Sequence, residues 1–388
     1  MNPSQPTTSR IEVLDAIRGF SLLGILIVNL LTFHSPHFLN GGLDEFYEGT
    51  LNTVVITSID LFVQASFYPL FSLLFGIGIY MMYERLNERG ISAKSVLKRR
   101  MFVLAFIGLI HGVLLWYGDI LLTYAVVGFI SLWFLHNHSN SLRKWAINLL
   151  WIPAVFLTLL SYPVREELIV TNDQRILDSF NAYKGEGIMY LTQNLSDWLY
   201  VNGFFQWIGV VFTILPMFLI GMMIQQRGWV KHPEHHRTDI MTWLWSSLII
   251  FIVFKISPHF VGMPVWLSTI QDAIGGSFSS IFYFLLLLVV FRRRNFLIVA
   301  RILSNVGKLS LTNYIMQTII AMTIFYGYGF NLYGELHAAT LIFIALGIYI
   351  FQLIFSAWYV KRFHYGPLEW FYRTLTYGKR QPITKKGD

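Results

Sequence analysis

The chain has 388 residues, of which 55% are hydrophobic and 13% are charged. Because average soluble domains carry about 25% charged residues, a chain this apolar could not cover itself with a polar surface in water, which excludes an ordinary soluble enzyme. The absence of cysteine excludes disulfides, thiolate catalysis and cysteine metal sites. The net charge is +8, but the basic residues are scattered between apolar runs. Membrane lipids, and not nucleic acids, are therefore the expected partners.

Ten apolar runs follow one another along the chain. Each is about 16 to 25 residues long, close to the roughly 20 residues that one membrane crossing requires. The pattern predicts an all-α polytopic membrane protein, a single transmembrane domain over residues 1–388 with about ten spanning helices in one bundle and short interfacial helices. The runs begin near Ile17, Phe67, Met101, Ile120, Ala146, Tyr200, Met241, Ser268, Leu309 and Leu336.

The long apolar stretch Leu51–Met82 departs from this simple alternation, because it is too long for one crossing and Asp60 interrupts its first half. We expect Asn52–Ser66 to lie at the outer surface or to re-enter the membrane. The remainder, Tyr68–Met82, is then expected to cross.

Three segments lie outside the spans. Residues 1–9 are polar and are predicted to be disordered. Residues 164–197 form the longest polar outer piece and could cap a cavity. Residues 361–388 are predicted to be a cytoplasmic tail.

The distribution of basic residues gives the orientation. With the N-terminus in the cytoplasm and strict alternation, 25 of the 29 Lys and Arg residues fall on the cytoplasmic side. This bias matches the positive-inside rule for an even number of crossings. Both termini are therefore predicted to be cytoplasmic.

Five polar side chains mark the first helix and its end. Asp15 and Arg18 stand three residues apart on one helical face, so they are either an ion pair that fixes the helix end or part of a site. Asn29 lies in an otherwise apolar turn. His34 and His37 follow at the outer boundary, as solvated loop residues or as site residues. No metal site is predicted there, because no Asp or Glu ligand of known geometry accompanies them.

Other polar residues fall inside later spans, where they are costly and therefore candidates for function. His111 lies near the middle of the third span, either as a helix–helix hydrogen bond or as a site residue, and Asp119 lies at the following hairpin. Asn313 and Gln317 are four residues apart and share a helix face.

The outer boundary gathers eight ionisable side chains, which predicts a polar cavity that opens away from the cytoplasm. Lys255 and Asp272 could alternatively pair with each other across adjacent spans. The eight are His34, His37, Asp60, Asp119, Lys255, His259, Asp272 and His337.

Several motifs, ordered along the whole chain, resemble the YeiB-type family of bacterial membrane proteins. The first helix contributes Asp15-Ala-Ile-Arg18-Gly19 and, further on, Asn29. The later matches are Leu70-Phe-Ser-Leu-Leu-Phe-Gly76-Ile-Gly78, His111 with Trp116-Tyr-Gly-Asp119-Ile-Leu, Leu309-Ser-Leu-Thr-Asn313-Tyr-Ile-Met-Gln317, and Gly366-Pro-Leu-Glu369-Trp370-Phe-Tyr-Arg373-Thr-Leu-Thr-Tyr377. The resemblance implies a multi-pass protein of the bacterial inner membrane.

That family looks like a branch of the transmembrane acyltransferases, which include heparan-α-glucosaminide N-acetyltransferase and the OafA-type sugar O-acyltransferases. Their Asp-x-x-Arg-Gly signature is matched by Asp15 and Arg18. The acetyltransferase also has an Asn followed by a His, matched by Asn29 and by either His34 or His37. The OafA-type spacing, in which a His follows the Arg after ten residues, is absent because Asn29 stands at that position.

The resemblance implies transfer of an acyl group from a cytoplasmic acyl-CoA-type donor to an outer carbohydrate or lipid acceptor, without a covalently bound cofactor. His34 is the first choice as base and His37 the second, with Asn29 stabilising the oxyanion and His111 in support. The residues assigned to the donor are Asp15, Arg18, Lys98, Arg99 and Arg100. Four further residues, Asp60, Asp119, Asn313 and Gln317, complete the candidate polar site.

Alternatives stay open at this point. The last three basic residues of the donor set are more simply explained as topology signals. A transporter or flippase of a lipid-linked or small organic substrate would use the same polar cavity without chemistry, and a membrane scaffold would need neither. A homodimer is a further alternative.

Overall fold

The computed structural model describes residues 10–168, 171–185 and 187–385. In this part of the chain the regular structure is helical, and the one β feature is an isolated antiparallel bridge between Phe363 and Thr384. The all-α prediction is confirmed. The predicted disorder of residues 1–9 lies outside the described residues.

The helices follow one another with short connections. The α-helices are α1 (Arg10–His34), α2 (His37–Asn40), α3 (Leu43–Phe46), α4 (Thr50–Phe62), α5 (Phe67–Glu88), α6 (Ala93–Ile110), α7 (Leu121–Ser131), α8 (Ser139–Ser161), α9 (Asp173–Tyr183), α10 (Met189–Val201), α11 (Phe204–Gln226), α12 (Arg237–Phe251), α13 (Ser268–Ile270), α14 (Ser277–Val290), α15 (Leu297–Lys308), α16 (Ser310–Phe325), α17 (Ala338–Arg362) and α18 (Pro367–Tyr377). Three segments are π-helical: His111–Leu115, Ile252–Ile256 and Gln271–Gly276. Four are 3₁₀-helical: Leu132–Phe134, Ser257–Val261, Val265–Leu267 and Arg294–Phe296.

Seven segments of the described chain are apolar and long enough to cross a membrane, so this is a polytopic membrane protein. They coincide with seven of the ten predicted spans. The other three predicted spans correspond to α6, α7 and α16, which have 18, 11 and 16 residues. Ten crossings therefore depend on these three shorter or more polar helices, and the number ten stays a prediction. The seven are Glu12–His34, Thr50–Glu88, Ser139–Ser161, Gln206–Gln226, Arg237–Val261, Val265–Val290 and Ala338–Arg362.

The break expected within the stretch Leu51–Met82 is present. Helix α4 ends at Phe62 and α5 begins at Phe67. Between them, Ala65 adopts a positive φ of 53°, a conformation that costs energy for a residue with a Cβ. The chain is thus forced to turn between the two helices, and Asp60 is carried on the last turn of α4.

Small residues let the central helices touch backbone to backbone. A Cβ on Gly19 of α1 would lie 2.1 Å from the carbonyl oxygen of Leu303 in α15. A Cβ on Gly307 of α15 would lie 1.8 Å from the carbonyl oxygen of Asp15. Helices α5 and α11 meet in the same way at Gly76. Such contacts hold helices together in lipid, where the hydrophobic effect does not.

The polar segment 164–197 is more ordered than a simple loop, because it contains α9 and the first part of α10. Helix α10 lies against the π-helical segment that begins at His111. There the Asn194 side chain donates hydrogen bonds of 2.9 and 3.0 Å to the carbonyl oxygens of Gly112 and Val113. The segment therefore closes one end of the bundle.

Candidate functional site

The Asp-x-x-Arg-Gly motif forms contacts at the beginning of α1. Arg18 Nη1 donates to Asp15 Oδ1 at 2.6 Å, which forms the ion pair expected on one helical face. The next residue, Gly19, makes the close contact with α15, and its carbonyl oxygen accepts a 2.6 Å hydrogen bond from the Tyr349 hydroxyl. Helix packing and an ion pair at the helix end are therefore sufficient reasons for these three residue types.

The three basic residues of α6 have different surroundings. Lys98 and Arg99 are exposed. Arg100 is half-buried, with its guanidinium 5.8 Å from the centroid of the Phe75 ring and 5.1 Å from that of Tyr372. Its charge is thus directed at two aromatic faces, which is a packing role. The assignment of Lys98, Arg99 and Arg100 to the donor phosphates stays a prediction.

His34, the first choice as base, has no accessible nitrogen. The side chain is fully buried at the end of α1. Its Nε2 accepts a 2.9 Å hydrogen bond from the Leu336 backbone N–H, so Nδ1 carries the proton and donates to the Tyr47 hydroxyl at 2.7 Å. The backbone N–H of Gly334 donates to the His34 carbonyl oxygen at 2.8 Å. The residue joins α1 to two connecting segments.

His37, the second choice, is three residues further on, and within the described ranges only one of its ring nitrogens has a hydrogen-bond partner. Its Nδ1 lies 3.1 Å from the carbonyl oxygen of Gly41, which can only accept, so Nδ1 carries the proton and Nε2 keeps its lone pair. The ring stacks on Phe46, 4.3 Å between centroids. Partial burial lowers the pKa of His37, which favours the neutral ring that a base requires. The side chain lines a cavity of about 610 Å³ together with Glu45, Thr171, Asp173 and Phe180.

Asn29 lines a different cavity, of about 270 Å³. Phe38 and Leu39 also line it, whereas His37 faces the larger cavity. The single turn α2 therefore separates the two cavities, with Asn29 on one side and His37 on the other. Within the described residues, the Asn29 side chain makes no hydrogen bond. Its amide is therefore available to hydrogen-bond a bound molecule.

His111 and Asp119 form a buried hydrogen-bonded chain with Thr318. His111 Nδ1 lies 2.8 Å from Asp119 Oδ1, and its Nε2 lies 2.9 Å from Thr318 Oγ1. The carboxylate orients the ring, so Nε2 accepts from the hydroxyl. Asp119 Oδ2 accepts from the Leu122 backbone N–H at 2.8 Å. The His111 and Asp119 side chains are 1% and 0% exposed, and this hydrogen-bonded group is buried where α6, α7 and α16 meet. Asp119 also lines the cavity of about 270 Å³ that Asn29 lines.

Asp60 belongs to a cluster at the far ends of α4 and α12. Lys255, fully buried, lies 2.6 Å from Asp272 Oδ1 and 3.3 Å from Asp60 Oδ1. Lys255 therefore pairs with Asp272, one of the alternatives that the sequence leaves open. Asp60 Oδ2 is 2.8 Å from His259 Nε2 and accepts from Gln271 at 2.9 Å. The two carboxylates and the imidazole are partly exposed, so the cluster has a buried cation and an accessible rim.

Asn313 and Gln317 share one face of α16, as expected, and meet polar residues of α17. Gln317 donates to Gln352 Oε1 at 2.9 Å, and Gln352 donates to the Asn313 carbonyl oxygen at 2.8 Å. Asn313 donates to Ser356 Oγ at 3.0 Å. All four are buried. These hydrogen bonds link α16 to α17 and satisfy polar groups that have no access to water.

Comparison with known proteins gives relatives of the same length. A family described as a protein of unknown function, DUF418, matches residues 224–379. The uncharacterised protein YxaH of Bacillus subtilis is 30% identical over 404 residues, which cover 100% of this chain and 99% of that one. The uncharacterised protein YeiB of Escherichia coli is 27% identical over 405 residues, 96% of this chain and 98% of its own. The chain belongs to the YeiB-type family.

A third relative is an uncharacterised 39.9 kDa protein from the amylase 3′ region of Bacillus acidopullulyticus, 30% identical over 387 residues, 97% of this chain and 96% of that protein. All three of these YeiB-type relatives are uncharacterised. The likeness to acyltransferases therefore stays a prediction.

Two of the YeiB-type motifs meet in the structure, where Glu369 of α18 caps the beginning of α16. Its Oε1 accepts from the backbone N–H groups of Leu311 and Thr312 at 2.7 and 2.9 Å. Its Oε2 lies 2.6 Å from Thr312 Oγ1. Unpaired N–H groups at a helix start need such acceptors. The motif around Glu369 thus fixes α16, which carries Asn313 and Gln317.

Sequence reasoning missed that the π-helical segments carry the ionisable residues. His111, Lys255 and Asp272 each lie in one of the three π-helical segments of the described chain. Such bulges in α-helices are often found at functional sites. Hydropathy contains no signal for this geometry. The one sequence feature near it is Gly275, where a Cβ would lie 2.8 Å from the Lys255 backbone nitrogen.

A second polar cluster, also missed, lies between α9 and α10. Asp197 accepts from Tyr183 at 2.9 Å, from Gln193 at 3.0 Å and from Arg175 at 3.1 Å. Burial raises the pKa of Asp197, and these donors oppose that shift. The cluster links α9 and α10 beside the larger cavity.

One group in the described ranges has a spacing that suits a metal ion. Ligand atoms of His232, Glu234 and His235 all lie within 4.8 Å of one another. The group is exposed on the turn before α12, far along the chain from His34 and His37, where a metal was considered from the sequence.

Proposed function

We propose that this protein is a membrane-embedded acyltransferase in which His37 is the base. The supporting observation is the environment of that histidine: Nδ1 donates to the Gly41 carbonyl oxygen, Nε2 has no hydrogen-bond partner among the described residues, and the side chain lines the larger cavity. His34 lacks such a nitrogen, since both of its ring nitrogens are hydrogen-bonded.

The chemistry requires no resident cofactor. His37 Nε2 removes the proton from an acceptor hydroxyl or amine as that atom attacks the thioester carbonyl of an acyl-CoA donor. The C–S bond then breaks, and the thiolate leaves and takes up the proton from His37. The Asn29 amide lies on the opposite side of α2, where it would stabilise the oxyanion only when the carbonyl reaches past that turn.

The proposal includes a location. We place the protein in the bacterial cell membrane with both termini in the cytoplasm, supported by the 25 of 29 basic residues that alternation assigns to that side. The cavity of His37 then opens outward, toward a carbohydrate or lipid acceptor, and the donor arrives from the cytoplasm.

The test uses the fact that the chain has no cysteine, so the protein itself does not react with a thiol-reactive dye. A thiol-reactive dye added to purified protein, acetyl-CoA and an extract of cell-surface glycans and lipids reports only CoA that is released. We expect release with wild-type protein and its loss in His37→Gln, with correct folding verified by thermal unfolding. Undiminished release in His37→Gln would contradict the assignment.

A second candidate, transport of a small organic or lipid-linked substrate, is favoured by the cluster around Lys255. A fully buried lysine between two carboxylates inside a membrane-spanning segment is typical of transport pathways. Uptake of an unmodified substrate into proteoliposomes, without CoA release, would support this candidate and contradict acyl transfer.

A further inference from the structure

We propose that the cavity beside Asn29 holds the aliphatic chain of the acyl donor, and that its size limits this chain to medium length. The inference rests on the proposed acyl transfer and adds the class of donor. It is carried by the walls of the cavity, by its one unengaged amide and by its volume.

The walls suit an uncharged chain. Apolar side chains and two indoles form most of the surface, and no Lys or Arg of the described segments lines the cavity. The apolar and indole residues include Val28, Ile120, Val210, Trp116 and Trp207. The phosphates of a donor therefore have no counter-charge here. The part of the donor that this cavity fits is its acyl end.

The polar groups of the wall are mostly satisfied within the protein. Asn202 accepts from Trp207 Nε1 at 2.8 Å and donates to the Trp198 carbonyl oxygen at 2.9 Å. Thr32 donates to the Asn29 carbonyl oxygen at 2.8 Å. Both oxygens of the Asp119 carboxylate are also engaged. Two donors remain for a carbonyl oxygen, the Asn29 amide and the buried indole N–H of Trp116. Trp116 stacks on Phe33 of α1, so the thioester end of the chain would lie beside α1 with either donor.

The volume of the cavity sets the length of the acyl chain that fits inside it. The cavity measures about 270 Å³, below the range of roughly 300 to 1,000 Å³ that is usual for drug-sized ligands. If each carbon fills about the 30 Å³ of one water molecule, the chain has on the order of eight to ten carbons. A long-chain donor would leave its end outside the cavity.

The experiment measures the affinity of full-length protein in nanodiscs for non-hydrolysable alkyl-CoA thioethers from ethyl to hexadecyl. Each buried methylene is worth about 0.8 kcal/mol, so affinity should rise about fourfold per carbon and level off at about eight to ten carbons. Val210→Phe narrows the cavity and should move this plateau about two carbons shorter. The matched control is Ile208→Phe on the same helix, whose side chain is exposed and outside the cavity, and it should leave the plateau in place.

The possible results of this experiment separate the inference from the proposed function on which it rests. Affinity that keeps rising to hexadecyl, or a plateau that neither variant or both variants move, overturns the inference. Competition by a phospholipid of equal chain length as strong as that of the thioether would assign the cavity to membrane lipid and overturn the donor assignment. A length-limited affinity without any CoA release overturns the proposed function, whereas acyl transfer without a length limit overturns the inference alone.

Discussion

His34 and His37 are three residues apart and have opposite surroundings. The first is buried with both nitrogens hydrogen-bonded, and the second is half-buried at the wall of a cavity, with one nitrogen hydrogen-bonded within the described residues. Their sequence context, Phe-His-Ser-Pro-His-Phe, could not separate them. The partners of His34, Tyr47 and Leu336, are 13 and 302 residues away, and only the folded chain brings them close.

This difference predicts different costs of mutation. His34→Ala leaves the Leu336 N–H and the Tyr47 hydroxyl without partners, which should lower the free energy of unfolding by about 2–4 kcal/mol. His37→Ala removes one hydrogen bond at a half-exposed site and should cost about 1 kcal/mol or less. Thermal unfolding of both variants in the same detergent gives the comparison, and equal loss of stability would contradict the structural role of His34.

At the scale of elements, the contact between α1 and α15 and the cap of α16 each predict the effect of a single substitution. A Cβ on Gly307 would lie 1.8 Å from the Asp15 carbonyl oxygen, so Gly307→Ala must push α15 away from α1. We expect loss of several kcal/mol of stability or loss of folded protein. The matched control is Gly347→Ala in α17, where nothing lies within 4 Å of the new Cβ and helix propensity should improve stability slightly. Size-exclusion profiles and thermal unfolding of the two variants separate the outcomes, and a well-folded Gly307→Ala protein would refute the contact.

The cap of α16 predicts a pH dependence. Burial raises the pKa of Glu369, so the folded chain keeps this proton over a pH range in which the unfolded chain has lost it. The resulting stabilisation is complete below the ordinary pKa of glutamate, about 4.3, and is lost as the pH rises through the raised value. The Thr312 hydroxyl donates to Oε2 and the two backbone N–H groups donate to Oε1, so these hydrogen bonds oppose the rise in pKa that burial causes.

Glu369→Gln keeps an acceptor oxygen for the two backbone N–H groups and has no titrating proton. The variant should therefore lose less stability than the wild type between acidic and neutral pH, as measured by unfolding temperature. The exposed Glu88→Gln is the control and should follow the wild type. Parallel curves for Glu369→Gln and wild type would show that this carboxyl does not titrate with folding.

The limits of sequence reasoning are clearest for these elements. Hydropathy runs located seven long membrane helices because burial in lipid is decided by composition along the chain. The paired residues Asn313 and Gln317 followed from helical periodicity. Contacts such as that between Lys255 and Asp60, 195 residues apart, and the π geometry of their segments depend on packing between helices, for which a single sequence has no local signal.

For the whole molecule, the orientation in the membrane is the prediction with the widest reach. Because the chain has no cysteine, single exposed positions can be labelled without background. Glu48→Cys, close to the cavity of His37, should react with a membrane-impermeant maleimide on intact cells, and Lys94→Cys should react only after lysis. The reverse result would show that the protein has the opposite orientation in the membrane and would contradict the proposed outward-facing acceptor site.

The single turn α2 has a consequence for any reaction across it. It is preceded by Pro36 and followed by Gly41 and Gly42, which adopt φ angles of 86° and 73°. If the proposed donor binds beside Asn29, its thioester has to pass this turn before the attacking atom can transfer its proton to His37. The freedom of α2 to tilt about its two ends would then limit the rate of transfer, independently of the chemistry at the histidine.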